Sequence, residues 1–373
     1  MRKLIVPILL SLVPPSCGVH HRDYELTAEG IAQLAVDRKI RGVDELLIQL
    51  PVSFRESYVF LERSGSLHHA FVQQPRAILF GTDARFLMGI GSVETDPRNQ
   101  TVDMAQLDTQ TGYWQFRTLE FADRGLPILN SDQRPCESCH GLPARPIWGS
   151  YPVWPGAFGD QGSDVTPQQA EALQRMRSIP TERFYPLPYD AFYSYMLSAR
   201  RYGYPNTAFN FEVAAAAAEG LYKRVRQRES FPSQRYQLLW NGWCTYDVVT
   251  ALMSVGLSAR NDFQLHRSFP ETSGERDYYW NQGSTYLHDL WLFLVLDNLL
   301  QDDLLLAQIF SPVETRRQRW INHWWRIVGE ARREFLRVEF DFEQDDIRPQ
   351  ELIIPIRQEM CAYLRGKVEH VSR

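Results

Sequence analysis

Cys136-Glu137-Ser138-Cys139-His140 places two thiols and an imidazole at a spacing with a definite chemical meaning. Thiols three positions apart on one turn can reach both vinyl groups along a porphyrin edge. The adjacent imidazole can swing beneath the ring and bind iron through a neutral nitrogen. The pattern is the attachment signature of c-type haem, with Cys136 and Cys139 as tethers, His140 as proximal iron ligand and one covalently attached haem c as cofactor. Two other chemistries fit the same five residues. A thiol–disulfide site expects the motif at a helix start after a strand in a βαβ unit, and zinc needs a distant fourth ligand beside Cys136, Cys139 and His140.

The residues around the motif can serve the same cofactor. Arg145 can reach a haem propionate with charge-assisted bonds, or form a surface ion pair instead. Trp148, Tyr151 and Trp154 can wall a porphyrin, or fasten their segment to the rest of the fold. For the far face of the iron three options stand. Met196 shares a helical stripe with Phe192, Tyr195 and Ala199, and His288 shares one with Trp291, Leu292 and Val295. For either side chain, core packing is the commoner role. His323 is disfavoured because it projects opposite Ile321, Trp325 and Val328. The third option is an open iron face, which would permit peroxide or small-gas chemistry.

The N-terminus agrees with haem attachment, which takes place outside the bacterial cytoplasm. Arg2 and Lys3 precede the apolar run Leu4 to Val13, then Pro14, Pro15, Ser16 and Cys17, so residues 1–17 read as a secretion signal. The run is too short to span a bilayer. Two processing routes compete, a lipid anchor on Cys17 or ordinary cleavage just beyond it, and the expected location is the periplasm or the envelope. If Cys17 takes a lipid and Cys136 and Cys139 take a haem, two of the five cysteines are left. Cys244 and Cys361 then either pair in the oxidising compartment or remain buried thiols.

The 373 residues carry a net charge of -5 and 44% hydrophobic side chains, enough for one large core or two modest ones. Acidic and basic residues are interspersed, which disfavours nucleic acid as a partner. Residues 22–57 have helical spacing, with Ile31, Leu34 and Ala35 on one stripe and Val43, Leu46, Leu47 and Leu50 on the next, stopped by Pro51. Residues 58–121 change to short β-rich runs separated by turns, an antiparallel meander of four or five strands. Residues 122–165 are dense in Pro and Gly and read as an ordered haem-attachment loop, whose aromatic rings must pack on something. Residues 166–373 read as mainly helical, and the fold class is α+β.

The run PCESCHGLPARPIWGSYPVWPGAFG, from Pro135 to Gly159, resembles a group of uncharacterised exported bacterial proteins similar to monohaem c-type cytochromes. They share a single CxxCHG, a following R-P-x-W and a W-P-G segment. The preceding RAILFGTDARFL, Arg76 to Leu87, also looks like their β-rich part, so the resemblance covers about residues 55–160. It implies haem binding but no reaction. Gly149 stands where the group often has an acidic residue after the Trp, so no catalytic carboxylate is expected there.

These readings converge on an exported monohaem protein passing single electrons to a redox partner. The alternatives are a peroxidase-like enzyme or small-ligand sensor with an open iron face, and a non-redox envelope interaction protein whose CxxCH holds a disulfide or zinc. No Ser-His-Asp set, phosphate loop or HExxH helix is discernible.

Overall fold

Thr27 accepts a hydrogen bond from Gly30 N (3.0 Å) and so starts α1, Ala28–Asp37, which buries Ala28, Ile31, Leu34 and Ala35. After a turn at Lys39, whose φ is 52°, α2 (Val43–Gln49) buries Val43, Leu46 and Leu47. Pro51 ends it and opens the single turn α3, Val52–Arg55. These two helical stripes are the ones their spacing predicts.

The computed structural model describes residues 24–64, 66–81, 83–122, 126–140, 144, 146, 156–159, 165–188, 209, 213, 216–217, 219–220, 223–229, 231–244 and 361–369. Its centre is a six-stranded antiparallel sheet in the order β1-β2-β3-β4-β5-β6, each strand paired with its sequence neighbour. The strands are β1 Tyr58–Leu61, β2 Arg76–Leu79, β3 Phe86–Ile90, β4 Thr101–Leu107, β5 Trp114–Glu120 and β6 Ile128–Asn130. With the helices this makes an α+β fold. The first five strands match the β-rich runs read from sequence. The sixth falls in the Pro-rich stretch that reads as loop.

The β4–β5 hairpin shows why the register is fixed. Asp108 Oδ1 accepts from Gln110 N (2.8 Å) and Thr111 N (3.1 Å), and Gly112, at φ 76°, closes the turn by donating to Asp108 O (2.7 Å). Leu107 then faces Trp114 and Ala105 faces Phe116.

Alternation along the strands gives the sheet two faces. The first buries Tyr58, Phe60, Leu79, Met88, Val102, Met104 and Leu119 against α1, α2, α3 and α5, Pro167–Ser178. Thr166 caps α5 with a complete capping box to Gln169. Arg183 clasps this side, donating to Gly91 O, Asn99 O and Asn99 Oδ1 and pairing with Asp44 at 2.7 Å.

The second face gathers Val59, Leu61, Ile78, Phe80, Leu87, Ala105, Leu107, Trp114 and Phe116 into a separate apolar cluster, joined by Phe209, Val213 and Ala216. Helix α6, Phe231–Leu239, runs on into a π-helical turn, Trp240–Cys244. A disulfide joins Cys244 to Cys361, at the start of helical residues 361–369, so the buried-thiol alternative falls. No helix among the described residues is long and apolar enough to cross a membrane.

Candidate functional site

The CxxCH motif is helical. Helix α4, Arg134–His140, contains it entirely and follows β6 after three residues. Two side chains organise the entry, with Asn130 Oδ1 accepting from Asp132 N (2.9 Å) and Asp132 Oδ1 from Arg134 N (3.1 Å). The Arg134 guanidinium grips the Asp132 carboxylate and holds its pKa down at about 2. Pro135 is tolerated because the first turn of a helix leaves its N–H groups without an intrahelical acceptor. Gln133 Oε1 continues the ladder where β6 stops, accepting from Phe116 N at 3.3 Å.

On such a helix the third and fourth positions after Cys136 return to the same side, so positions 136, 139 and 140 share one face. Cys136 is half-buried and packs on the apolar cluster of the sheet's second face. The half-buried His140 lays its ring on Phe116, with centroids 4.3 Å apart and planes tilted by 39°.

The Pro-rich stretch is pinned at both margins of the sheet. At one end it is β6, paired to β5 through Thr118–Asn130, Leu119–Leu129 and Glu120–Ile128. At the other, Ala157 bridges to Leu61 on β1, with Glu62 N donating to Gly156 O (2.7 Å) and Phe158 N to Phe60 O (2.9 Å). Gln169 locks this return by accepting from Gly159 N at 3.2 Å and donating to Glu62 at 2.8 Å. Ala144, buried between the two anchors, belongs to the second-face cluster. The described ends of this stretch therefore sit at opposite margins of the sheet, five strand spacings or about 24 Å apart.

Cys136 and His140 are thus brought together. The Cys139 backbone lies in the same helix, and its side chain is outside the described residues. Arg145, Trp148, Tyr151, Trp154, Met196, His288, His323 and Cys17 also lie outside the described residues. Among the described residues no three His, Cys, Asp or Glu side chains converge as a metal site.

Beside this site the second face carries a charged cluster that the sequence reading missed. Asp103 takes Arg76 Nη2 and Arg98 Nη2 at 3.0 Å each, and His68 Nε2 stands 3.2 Å away. Asp96 fixes the surrounding loop by accepting from His69 N (2.7 Å) and Arg98 N (2.8 Å). Burial alone would push the Asp103 carboxyl up, yet His68 and the guanidiniums of Arg76 and Arg98 hold it well below the usual carboxylate range. Gly89 and Gly91 make the room, since a Cβ at Gly89 would overlap Arg76 Nη2 and one at Gly91 would come within 2.9 Å of His68 Nδ1. Two glycines two positions apart at the end of β3, and an Asp between Val102 and Met104, were the available signals.

The chain matches no protein family, no curated protein and no solved structure.

Proposed function

We propose that this chain is an exported monohaem c-type protein that passes single electrons in the cell envelope, with Cys136 and Cys139 as tethers and His140 as proximal iron ligand. The observation that carries the reading is the placement of Cys136 and His140 one turn apart on a short helix laid against an apolar sheet face. The donor set fits the group. Two thiol positions share a helix side with one imidazole, and Cys136 borders an apolar cluster where water is excluded.

Haem, when bound, supplies a one-electron iron couple. The chain's own work is to hold and shield it. The two cysteines would tether one porphyrin edge, and Phe116 fixes the plane of the His140 imidazole by ring contact. Arg145 is assigned to a propionate, Trp148, Tyr151 and Trp154 to the pocket wall, and Met196 or His288 to the far iron face. The Cys244–Cys361 disulfide supports export, because such bonds persist outside the reducing cytoplasm. The resemblance to exported monohaem proteins supports the same location. Residues 166–373 are assigned to a mainly helical part, whose first helix, α5, packs on the sheet.

The thiol–disulfide alternative loses ground because α4 follows an edge strand of an antiparallel sheet rather than a parallel βαβ crossover. The test is expression in a host that attaches c-type haem, followed by haem staining on a denaturing gel and metal analysis. A stained band at the chain's mass is expected. Colourless protein holding zinc or a Cys136–Cys139 disulfide would sink the reading. If haem is present, a ferrous spectrum altered by carbon monoxide would favour the open-face enzyme or sensor over the carrier.

A further inference from the structure

The cluster around Asp103 has more donors than its carboxylates can absorb. Arg76 Nη2 and Arg98 Nη2 both spend themselves on Asp103, while Arg76 Nε and Arg98 Nε are buried with no hydrogen-bond partner among the described residues. Asp96 offers them little relief, because its oxygens serve two backbone N–H groups and stand 4.0 Å from His68 Nδ1. A buried guanidinium N–H without an acceptor costs free energy, so the arrangement asks for one more anionic oxygen.

The cluster is also open in a definite place. His68 is fully buried and the Arg76 side chain is 5% exposed, whereas the Arg98 and Asp103 side chains are each 29% exposed. An incoming group would meet Arg98 together with the Asp103 carboxylate that pairs with it. Its neighbour on the sheet is the site already described. Asp103 pairs with Thr118, and Phe116 is the next residue on that face of β5. Asp103 is therefore the diagonal neighbour of the residue on which His140 rests, about 7–8 Å away between backbones.

Resting on the haem reading above, we infer that Arg98, backed by Arg76, is a carboxylate-binding site that receives a propionate of the tetrapyrrole tethered at α4. A planar guanidinium presents paired N–H donors that match a carboxylate, and partial burial strengthens each bond. Asp103 is a positioning residue, since it holds both guanidiniums, that of Arg76 over Gly89, and His68, packed over Gly91, stands 3.2 Å from its carboxylate.

The test uses the full chain with Cys136→Ser and Cys139→Ser, titrated with haemin and with haemin dimethyl ester, whose propionates carry no charge. The expected result is a preference for haemin of about tenfold or more in affinity, cut by Arg98→Gln to the part that Arg145 supplies, while ester binding stays the same. Circular dichroism of the Arg98→Gln chain checks its fold, and the haemin-to-ester comparison on the Arg98-containing chain needs no arginine change. Equal affinities for haemin and ester would overturn the inference, as would a preference that Arg98→Gln leaves undiminished. An acetate arm separates the sources. If acetate raises the melting temperature of the haem-free chain through Arg98 and the ester binds as well as haemin, the site serves a free carboxylate and the propionate assignment is overturned. Failure of both tetrapyrroles to bind, with no covalent haem in the unaltered protein, would overturn the haem reading itself.

Discussion

The ring of His140 lies 4.3 Å from the ring of Phe116, tilted by 39° to it. One residue belongs to a seven-residue helix and the other to a strand in the interior of the sheet order, so this contact aims the motif's imidazole from a rigid base.

Replacing Phe116 should therefore have two separable effects. Phe116→Ala, at a buried position, should lower the unfolding free energy by about 3–5 kcal/mol. Phe116→Leu should cost about 1 kcal/mol, because most of the volume is kept. In haem-loaded protein the leucine variant should still shift the reduction potential, since the ring that fixes the imidazole plane is gone. Potentiometry alongside chemical denaturation checks this. An unchanged potential in a folded leucine variant would show that Phe116 only fills space.

The disulfide offers a stability test. Cys244 and Cys361 are 117 residues apart in sequence, so the bond closes a long loop and removes much freedom from the unfolded chain. On the loop-entropy argument its loss should cost about 4–5 kcal/mol. Melting curves of the double Cys→Ser variant and of protein with and without reductant should agree in showing a lower transition. Superimposable curves would contradict the pairing.

Acid stability should report on Asp103. Its folded carboxyl titrates below the unfolded one, because His68, Arg76 and Arg98 oppose the penalty of burial. The associated stabilisation is complete above the ordinary carboxylate value of about 3.9 and is lost progressively as pH falls below it. Asp103→Asn should lower stability near neutral pH and flatten the acid limb. Denaturation measured between about pH 5 and pH 2 distinguishes the two chains, and parallel curves would remove Asp103 from the account.

Gly89→Ala should disturb the same cluster from beneath. The added methyl would overlap Arg76 Nη2, so the guanidinium must move off Asp103 or the strand must shift. A loss of about 1–3 kcal/mol is expected, with a smaller loss when Arg76→Met is already present. A double-mutant cycle by urea denaturation gives the answer. Strict additivity would mean that the methyl is accommodated elsewhere.

Much of this architecture was legible from periodicity. Ile31, Leu34 and Ala35, then Val43, Leu46 and Leu47, recur at helical spacing and are the residues α1 and α2 bury. The first five strands announced themselves by alternating or continuous apolar runs between turns. β6 did not, because Ile128, Leu129 and Asn130 are too few to show any period and follow directly on Pro127. α4 was hidden by Pro135, which reads as a breaker although a first helical turn accepts it. CxxCH was legible because its chemistry is local, with all five residues consecutive. The Asp103 cluster was not, because His68, Arg76, Asp96 and Arg98 come from separate loops and strands, and only the register of β2, β3 and β4 brings them together.

The anchoring of the Pro-rich stretch at both margins has one further consequence. The described ends are hydrogen-bonded into opposite margins of a six-stranded sheet, and α4 follows the β6 margin after three residues, so it is mounted on a hydrogen-bonded ladder. A redox group fastened there would change oxidation state with small nuclear rearrangement, the condition under which electrons hop quickly, and cutting either margin would slow exchange without touching a ligand.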